Sequence, residues 1–367
     1  MKSAYIHIPF CSSICSYCDF SKMLYNKTLV TNYLLELEEE IKSNYKGEIL
    51  DTIYLGGGTP STLDIKELRQ LFELLKILKH NKDFEFTIEC NVENLNEEKI
   101  KLFKEYGINR VSLGIQTFNE KFLQFLNRKH NTEEVKNIIN TLKKHNINNI
   151  NVDLIYAIPG QTLEDLKEDL KIFLSLDIPH ISTYSLIIEE HTVLHNKKIE
   201  NIDEDLDFMM YTEIIKTLYN YEHYEVSNFA LQGFASRHNL TYWDNSHYYG
   251  FGLGASGYIG NIRYDNTRSI NKYLKKEYTK EKQTLTKNET IENEFILGLR
   301  KTKGLNKKNF KKKYDIEIKE IEIIKKLIEE KKIIEDIDNI YINPDYIYVS
   351  NDILINFLGV KYETSNI

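Results

Sequence analysis

The stretch Tyr5-Ile-His-Ile-Pro-Phe-Cys11-Ser-Ser-Ile-Cys15-Ser-Tyr-Cys18 joins an apolar run to three cysteines in a C-x3-C-x2-C pattern. A short turn brings three thiolates at this spacing to one side of a loop, where they can hold one soft metal centre. A structural zinc site usually takes four ligands, and the fourth cysteine, Cys90, lies far away in the chain. A 4Fe–4S cluster fits better, because three thiolates leave one iron open for a small molecule. Disulfides are the alternative, but three crowded cysteines cannot all pair.

Apolar strands alternate with helical segments from this stretch to about residue 190. The strand candidates are residues 4–8, 52–55, 84–89, 110–114, 149–154 and 180–186. The intervening segments have apolar residues at helical spacing, and Thr132 and Thr162 stand where two of the helices should begin. Repeated strand–helix units predict an α/β fold with a parallel sheet, and about six units are fewer than the eight of a full barrel. We therefore expect a partial (β/α)6 TIM-like barrel.

Glycines and polar residues follow the predicted strands at their carboxyl ends, where parallel α/β folds bind ligands. The glycines of Gly56-Gly-Gly-Thr-Pro60 would let the backbone approach a ligand closely, with a plain tight turn as the alternative. Glu89, Gln116 and Asp153 lie near the ends of later strands, either to bind a ligand or to cap the barrel as a structural network. We expect Glu89 to face this site and its neighbour Cys90 to be a buried apolar residue.

Two later segments differ from the alternating pattern. Residues 237–257 hold the only tryptophan, two histidines, three tyrosines and four glycines, which suits a large flat ligand; a glycine-rich crossing with a hydrogen-bonded His238 is the alternative. Beyond about residue 285 we expect helices at 291–299 and 316–331 and strands at 333–342 and 345–350, a small α+β module resembling a winged helix. The predicted domains are the barrel core at 1–235, a connecting segment at 236–284 and the C-terminal domain at 285–367.

Composition argues against several classes of protein. A net charge of −7 over 367 residues argues against a dedicated nucleic-acid binder, with local basic patches left open. Residues 300–313 carry eight basic residues and no acid, and a solvated basic face explains this run best. No apolar run approaches the roughly 18 residues of a membrane span. We expect no signal peptide, and the few cysteines favour the reducing cytoplasm.

The cysteine run and the glycine motif closely resemble the signature of the radical S-adenosylmethionine superfamily. The motifs Tyr5-Ile-His-Ile-Pro-Phe-Cys11, Tyr54-Leu-Gly-Gly-Gly-Thr-Pro60, Gly114-Ile-Gln116 and Pro159-Gly-Gln-Thr162 are similar to those of its oxygen-independent coproporphyrinogen III oxidase branch. Decarboxylating oxidases carry a further cysteine two residues past the third, whereas Asp19-Phe20 follows here. These two residues, with His238-Asn239 before Tyr242-Trp243, resemble the HemW-type heme chaperones of that branch.

The resemblance implies a chaperone that binds heme, transfers it to recipient proteins and carries a 4Fe–4S cluster and S-adenosylmethionine. Cys11, Cys15 and Cys18 would ligate the cluster, and His238 is the candidate heme-site residue. The residues expected to contact one or two S-adenosylmethionine molecules are Tyr5, Tyr17, Gly57, Gly58, Thr59, Glu89, Gln116, Arg128 and Asp153. Asn127 departs from the family, which often has glycine before this arginine.

The resemblance leaves two hypotheses for the function within this branch. The alternative to a chaperone is the oxidase itself, a radical enzyme that decarboxylates propionates, and the missing fourth motif cysteine favours the chaperone. Enzyme activity stays open, with no catalytic residue expected. The resemblance suggests heme-recipient proteins as partners, membrane-associated respiratory proteins among them, leaves homodimerisation open and suggests no nucleic acid.

Overall fold

The structure is a computed structural model that describes residues 2–362; Met1 and residues 363–367, which the predicted domains include, lie outside the described residues. The strands are β1 Ser3–Ile8, β2 Phe10–Cys11, β3 Met23–Leu24, β4 Leu50–Gly57, β5 His80–Asn91, β6 Arg110–Gln116, β7 Asn149–Tyr156, β8 His180–Ser185, β9 Glu222–Glu225, β10 Asn228–Ala230, β11 Tyr248–Phe251, β12 Ser256–Ile259, β13 Ile262–Asn266, β14 Thr279–Thr284, β15 Leu305–Asn306, β16 Ile333–Glu335 and β17 Asn339–Ile342. The helices are α1 Lys27–Asn44, α2 Ile65–Leu75, α3 Glu97–Glu105, α4 Glu120–Phe125, α5 Thr132–Lys144, α6 Leu163–Ser175, α7 Val193–Asn196, α8 Glu204–Thr217, α9 Arg237–Trp243, α10 Ile270–Tyr273, α11 Lys287–Gly298, α12 Lys307–Tyr314, α13 Glu322–Glu329 and α14 Ser350–Leu354.

Twelve strands form one mixed sheet in the order β14-β13-β12-β11-β1-β4-β5-β6-β7-β8-β10-β9. Its centre, β1 and β4 to β8, is parallel and contains the six predicted strands. Within residues 2–362 the sheet stays open, because β14 and β9 lie at opposite edges. The predicted α/β fold with a partial barrel is confirmed.

Side-chain caps fix where the crossover helices begin. Thr162 accepts a hydrogen bond from the Asp165 N–H at 3.2 Å, and the Asp165 carboxylate accepts one from the Thr162 N–H at 2.9 Å, as the Thr-x-x-Asp spacing predicts. The prediction of Thr132 as an N-cap is wrong by one residue. Asn131 takes that position, because its amide oxygen accepts from the Glu134 N–H at 3.0 Å.

Residues 236–284 extend the parallel sheet. Strand β11 pairs in parallel with β1, with Gly250 opposite Tyr5, and the antiparallel strands β12, β13 and β14 follow outward. A Cβ atom on Gly250 would lie 1.9 Å from the Ser256 backbone oxygen, so only glycine fits there. No apolar alternation in the sequence indicates this seventh parallel strand.

Glu40 of α1 holds the sheet extension to the core. Its carboxylate accepts hydrogen bonds from the Gly252 N–H and the Asn266 side-chain amide, each at 2.7 Å, and from the Tyr273 hydroxyl. Burial raises the pKa of Glu40 from 4.5 to about 7, although these hydrogen bonds oppose the shift. One buried carboxyl group therefore connects α1 to three points of the extension.

The C-terminal region has an apolar core of its own, drawn from residues 291–362. Helices α11, α12 and α13 pack with a three-stranded sheet in the order β15-β17-β16, which agrees with the predicted winged-helix-like module. Residues 345–350, predicted as a strand, form no strand. Pro344 begins a 3₁₀ turn there, and the Asn343 side chain accepts from the Asp345 N–H at 3.2 Å.

Two details of this region differ from the sequence analysis. The helix expected at 316–331 begins only at Glu322, after a 3₁₀ turn, and ends at Glu329. Within the basic run at 300–313, strand β15 comes first and α12 begins at Lys307. That run is largely neutralised, since six of its lysines form ion pairs with carboxylates: Lys301, Lys303, Lys307, Lys308, Lys311 and Lys313. None of the helices in residues 2–362 has both the length and the apolar character of a membrane span.

Candidate cofactor site and adjoining cavity

The cysteine loop leaves the end of β1 and lies over the carboxyl ends of the parallel strands. All three of its cysteines are free thiols, with Cys11 buried and Cys15 and Cys18 partly buried. The Thr59 hydroxyl donates to the Cys11 sulfur at 3.7 Å, and the Arg128 guanidinium donates to the Cys15 sulfur at 3.8 Å. The loop is therefore held by residues that follow β4 and α4.

The surroundings of the cysteines oppose an isolated thiolate. Burial raises the pKa of the Cys11 thiol from 9.0 to about 11, and it also raises the pKa of Cys18. A bound metal centre would supply the positive charge that ionisation needs. Within residues 2–362 no three His, Cys, Asp or Glu side chains converge closely enough for a single metal ion. A four-iron cluster does not require such convergence, because each thiolate ligates a different iron.

The glycine motif wraps around the base of the cysteine loop. The Gly58 N–H donates to the Ile8 carbonyl and the Thr59 N–H to the Phe10 carbonyl, both at 2.8 Å. A Cβ on Gly57 would meet the His7 ring at 2.6 Å, and one on Gly58 would meet backbone atoms of residues 8–10 at 2.8 Å. Close packing against β1 and its loop therefore requires these glycines, independently of any ligand.

Glu89 faces the site and Cys90 faces the core, as expected from the alternation of β5. The Glu89 carboxylate accepts from the Tyr54 hydroxyl at 2.8 Å and from the Gly57 N–H at 3.0 Å. Burial raises the pKa of Glu89 to about 7, and the negative charge of Asp153 adds to the shift. Cys90 is 2% exposed within the apolar core, which confirms its assignment as a buried apolar residue.

Gln116 is the last residue of β6, and Asp153 lies on the neighbouring strand β7, opposite Gly114. The Asp153 carboxylate accepts from Ser112 at 3.2 Å and from Asn151 at 2.8 Å, and burial raises its pKa. Gln116 is buried and has a φ of 73°, a left-handed conformation that costs about 1–3 kcal/mol and is found mostly where a site requires it. Both residues belong to the same end of the sheet as Glu89.

Tyr5 lies on β1, and Tyr17 lies within the cysteine loop between Cys15 and Cys18. The Tyr5 hydroxyl lies 3.1 Å from Nδ1 of His7, and Nε2 of that ring lies 2.6 Å from the Ser21 carbonyl oxygen. Tyr17 packs against a separate apolar cluster that includes Phe122. Burial raises the pKa of both tyrosines, with Glu89 adding to the shift for Tyr5 and Cys15 for Tyr17.

His238 is 1% exposed, and both of its ring nitrogens have partners. Nδ1 lies 2.7 Å from the Thr52 hydroxyl and Nε2 lies 2.8 Å from the Tyr242 hydroxyl. Burial lowers the pKa of His238 to about 3, and Arg110 adds to the shift, so the ring is neutral. Direct ligation of iron would require His238 to leave one of these partners.

A cavity of about 400 Å³ lies between the cysteine loop, the sheet extension and α11. Its aromatic wall consists of Tyr5, Tyr242, Trp243, Tyr248 and Tyr258, with Phe20 at the loop side. Arg263, Arg268 and Asp19 supply charge. The sequence motifs contain Asp19, Phe20, Tyr242 and Trp243, but they do not show that these residues line one cavity. Sequence reasoning missed the two arginines, because they follow no motif.

Comparisons with known proteins support the same relationship. Residues 5–173 match the Radical SAM superfamily model. The heme chaperone HemW of Lactococcus lactis subsp. lactis is 42% identical over 374 residues, 97% of each chain, and that of Bacillus subtilis is 38% identical over 377 residues, 98% of this chain and 100% of the relative. The chain belongs to the HemW family. HemW proteins are radical S-adenosylmethionine proteins, a class that implies a 4Fe–4S cluster and S-adenosylmethionine.

This chain shares its fold with a solved oxidase. The structure of coproporphyrinogen III oxidase (HemN) from Escherichia coli superposes with a TM-score of 0.85 and 21% identity, covering 97% of this chain and 89% of that one. At this identity the likeness establishes the fold alone.

The residues at the mouth of the sheet fit the two cofactors of the HemW class. Three free thiols on one loop match the donor set of a four-iron cluster, and Cys11, Cys15 and Cys18 would hold it. The partly buried carboxyl groups of Glu89 and Asp153 would accept hydrogen bonds from the amino and hydroxyl groups of S-adenosylmethionine. When bound, this pair of cofactors supplies one-electron chemistry. The chain itself contributes the end of the sheet on which they would sit.

Proposed function

We propose that this protein is a heme chaperone that binds heme and hands it to recipient proteins. The single observation that carries the proposal is the aromatic cavity beside the cysteine loop, in a chain whose relatives are named heme chaperones over almost their full length. The cavity has the character that heme requires, since a macrocycle packs on aromatic faces while its propionates need cations.

Arg263 and Arg268 are our candidates for propionate binding. Nε of Arg263 is buried and has no hydrogen-bond partner within residues 2–362, and its guanidinium lies 4.7 Å from the centre of the Tyr258 ring. Arg268 also lines the cavity, and it forms no ion pair within residues 2–362. A terminal nitrogen of Arg263 donates to Asn245 Oδ1 at 3.1 Å, so Nε is the part of this group that a ligand would satisfy. Arg268 is exposed at the edge of the cavity, where its guanidinium can pair with a second carboxylate.

Phe20 gives the cysteine loop a part in heme binding. Its side chain is 64% exposed, although the ring lines the cavity. Only two positions separate it from Cys18. We propose that ordering of this loop by the cluster sets the position of Phe20 against the macrocycle, and that loosening of the loop favours release.

We assign His238 an indirect contribution to the heme site. It lies behind the aromatic wall, where its Nε2 holds the Tyr242 hydroxyl. His238→Ala should therefore weaken heme binding through the loss of Tyr242 alignment, and His238→Gln, which can still contact that hydroxyl, should restore part of it. A Soret spectrum and affinity unchanged in His238→Ala would remove the residue from the site.

Heme titration and transfer to an apo-heme protein test the function. The reconstituted protein should give a saturable Soret band and should load an apo-cytochrome faster than free hemin does. Anaerobic incubation with coproporphyrinogen III, S-adenosylmethionine and dithionite tests the oxidase alternative. Protoporphyrinogen formation that requires Cys11, Cys15 and Cys18 would overturn the chaperone assignment.

We further propose a cytoplasmic chaperone with membrane-associated respiratory proteins among its recipients. Four free cysteines support a reducing compartment. Heme transfer to vesicles that carry an apo-respiratory complex, compared with vesicles that lack it, tests the recipient. Light scattering with and without heme tests whether a homodimer is the active form.

A further inference from the structure

The end of α9 and the turn after it join the aromatic cavity to the C-terminal region. Trp243 and Asn245 line the cavity, and both also contact that region. The guanidinium carbon of Arg300 lies 5.6 Å from the centre of the Trp243 ring. The Asn245 side-chain amide donates to the Thr290 carbonyl at 3.2 Å and to Glu294 Oε2 at 3.3 Å. One wall of the cavity is therefore held by a region that has its own apolar core.

Glu294 of α11 is a buried carboxylate that the C-terminal region holds in place. The residue is 8% exposed. Its Oε2 accepts from the amino group of Lys313 at 2.6 Å and from the Tyr314 hydroxyl at 2.8 Å, in addition to the Asn245 amide. Because Lys313 and Tyr314 both belong to α12, the position of this carboxylate does not depend on Asn245.

The contacts with α11 decide which way the Asn245 amide faces. A carboxylate oxygen and a carbonyl oxygen can only accept hydrogen bonds, so the amide nitrogen must face Glu294 and Thr290. The amide oxygen is then left for Arg263, whose Nη2 donates to it at 3.1 Å. Asn245 is 3% exposed and has a φ of 45°, a backbone conformation that asparagine adopts more readily than most residues. A reversed amide would place donor against donor at Arg263.

Arg263 is held at one nitrogen and left without a partner at another. Nη2 is fixed by Asn245, and the guanidinium carbon lies 4.7 Å from the centre of the Tyr258 ring. Nε is buried without a hydrogen-bond partner, and the side chain forms no ion pair within residues 2–362. A guanidinium held in this way has less freedom to lose when a carboxylate arrives, and such preorganisation raises affinity.

We propose that Glu294 and Asn245 act in series as positioning residues for heme: the Glu294 carboxylate orients the Asn245 amide, and this amide holds Arg263 ready for a propionate. The inference rests on the proposed function and adds to it the residues that set the affinity. Glu294 itself does not line the cavity, whereas Leu297 of the same helix does. The grip on heme is therefore set partly from the C-terminal region, through a side chain that heme does not touch.

Double-mutant cycles, measured by heme titration at the Soret band on the full chain, test the inference. Asn245→Gly suits the left-handed backbone and removes the amide, and Glu294→Met removes the acceptor at similar side-chain length. Each should weaken heme binding about fivefold, as expected for one lost hydrogen bond. Neither should weaken it further in an Arg263→Met background, because both residues act through Arg263.

Heme dimethyl ester separates positioning of the arginine from general damage to the cavity. Its propionates are esterified, so it offers no carboxylate to Arg263. Asn245→Gly and Glu294→Met should leave the affinity for this ester unchanged. Glu292→Met is the matched control on the same helix, since the Glu292 carboxylate accepts from the Gly359 N–H at 2.7 Å within the C-terminal region. This control should lower the free energy of unfolding without changing heme affinity.

Two results would overturn the inference alone. One is a loss in Asn245→Gly that persists in full in the Arg263→Met background, which would make Asn245 a direct contact of heme. The other is an equal loss of affinity for heme and for its dimethyl ester. Asn245→Gly keeps the test decisive if Glu294→Met fails to fold. A parent chain without a saturable Soret band would instead remove the proposed function, and this inference with it.

Discussion

The cysteine-loop site and the aromatic cavity are neighbours, yet their polar groups differ in how completely the protein satisfies them. At the cysteine loop, Glu89 and both terminal nitrogens of Arg128 have protein partners. In the cavity wall, Nε1 of Trp243 and Nε of Arg263 are buried without partners among residues 2–362. Each region leaves one buried arginine Nε without a partner among these residues, that of Arg128 at the loop and that of Arg263 in the cavity. The difference is that protein groups hold the carboxylate of Glu89 at the loop, whereas the indole donor of Trp243 in the cavity wall is left for a ligand.

The largest effect is expected at Gly57, in the glycine motif that packs against the cysteine loop. Gly57→Ala places a Cβ 2.6 Å from the His7 ring at a φ of +114°, so strain and overpacking add. We expect a loss of about 4 kcal/mol in the free energy of unfolding, measured by urea denaturation. Gly233→Ala is the matched control, since it also has a positive φ but has open space around the new atom, and it should lose only about 1 kcal/mol. Equal losses in the two variants would contradict this account of Gly57.

The second-largest effect is expected at Glu40, which attaches the sheet extension, and with it part of the cavity wall, to the core. Because the folded pKa is raised from 4.5 to about 7, the folded state binds the proton more tightly, so this contribution to stability is present below pH 4.5 and is lost as the pH rises toward 7. The loss is on the order of 3 kcal/mol. In Glu40→Gln this part of the pH dependence should disappear, as measured by urea denaturation at a series of pH values. A parallel pH profile in the variant and the parent chain would exclude the raised pKa.

A smaller effect is expected at the cavity, where Arg263→Met should weaken heme binding about tenfold, roughly 1.4 kcal/mol. The propionate would lose its guanidinium partner, while the apolar methionine side chain would still cover Tyr258. Heme titration at the Soret band measures the change, and Arg69→Met, at an exposed arginine paired with Glu105, serves as the control. Undiminished affinity when both Arg263 and Arg268 are replaced would show that heme binds elsewhere.

The smallest effect is expected at Cys90. Cys90→Ala should leave the iron content of the reconstituted protein unchanged and should lower the free energy of unfolding by about 1 kcal/mol, because a small apolar group leaves the core. Cys15→Ala provides the contrast, with loss of the cluster spectrum. Loss of iron in Cys90→Ala would make this residue a fourth ligand and would break the distinction between core and site.

The sequence was sufficient for the parts of the fold that depend on local pattern. Strand–helix alternation located all six core strands, and the alternation within β5 separated Glu89 from Cys90. The prediction was wrong at 345–350, where apolar alternation was outweighed by the turn that Pro344 begins.

The pairing of strands that lie far apart in the chain could not be predicted from the sequence. The strand at Tyr248–Phe251 is short and rich in glycine and aromatic residues, so only its pairing with β1 reveals it. The cavity joins residues of the cysteine loop to Arg263 and Arg268 through that pairing. In the same way, motif matching gives Arg128 a ligand-binding role, but its contacts with Asn91, Glu93 and Gly114 become apparent only where the ends of β5 and β6 meet.

The parallel pairing of β1 with β11 also affects the order in which the protein is built. Ser3 pairs with Tyr248, so the ribosome completes most of the core before the partner of this strand edge exists. Until then one edge of β1 is open, and open strand edges recruit other chains. The nascent protein therefore depends on rapid capture of β11, and a pause in translation shortly before residue 248 would prolong its exposure to aggregation.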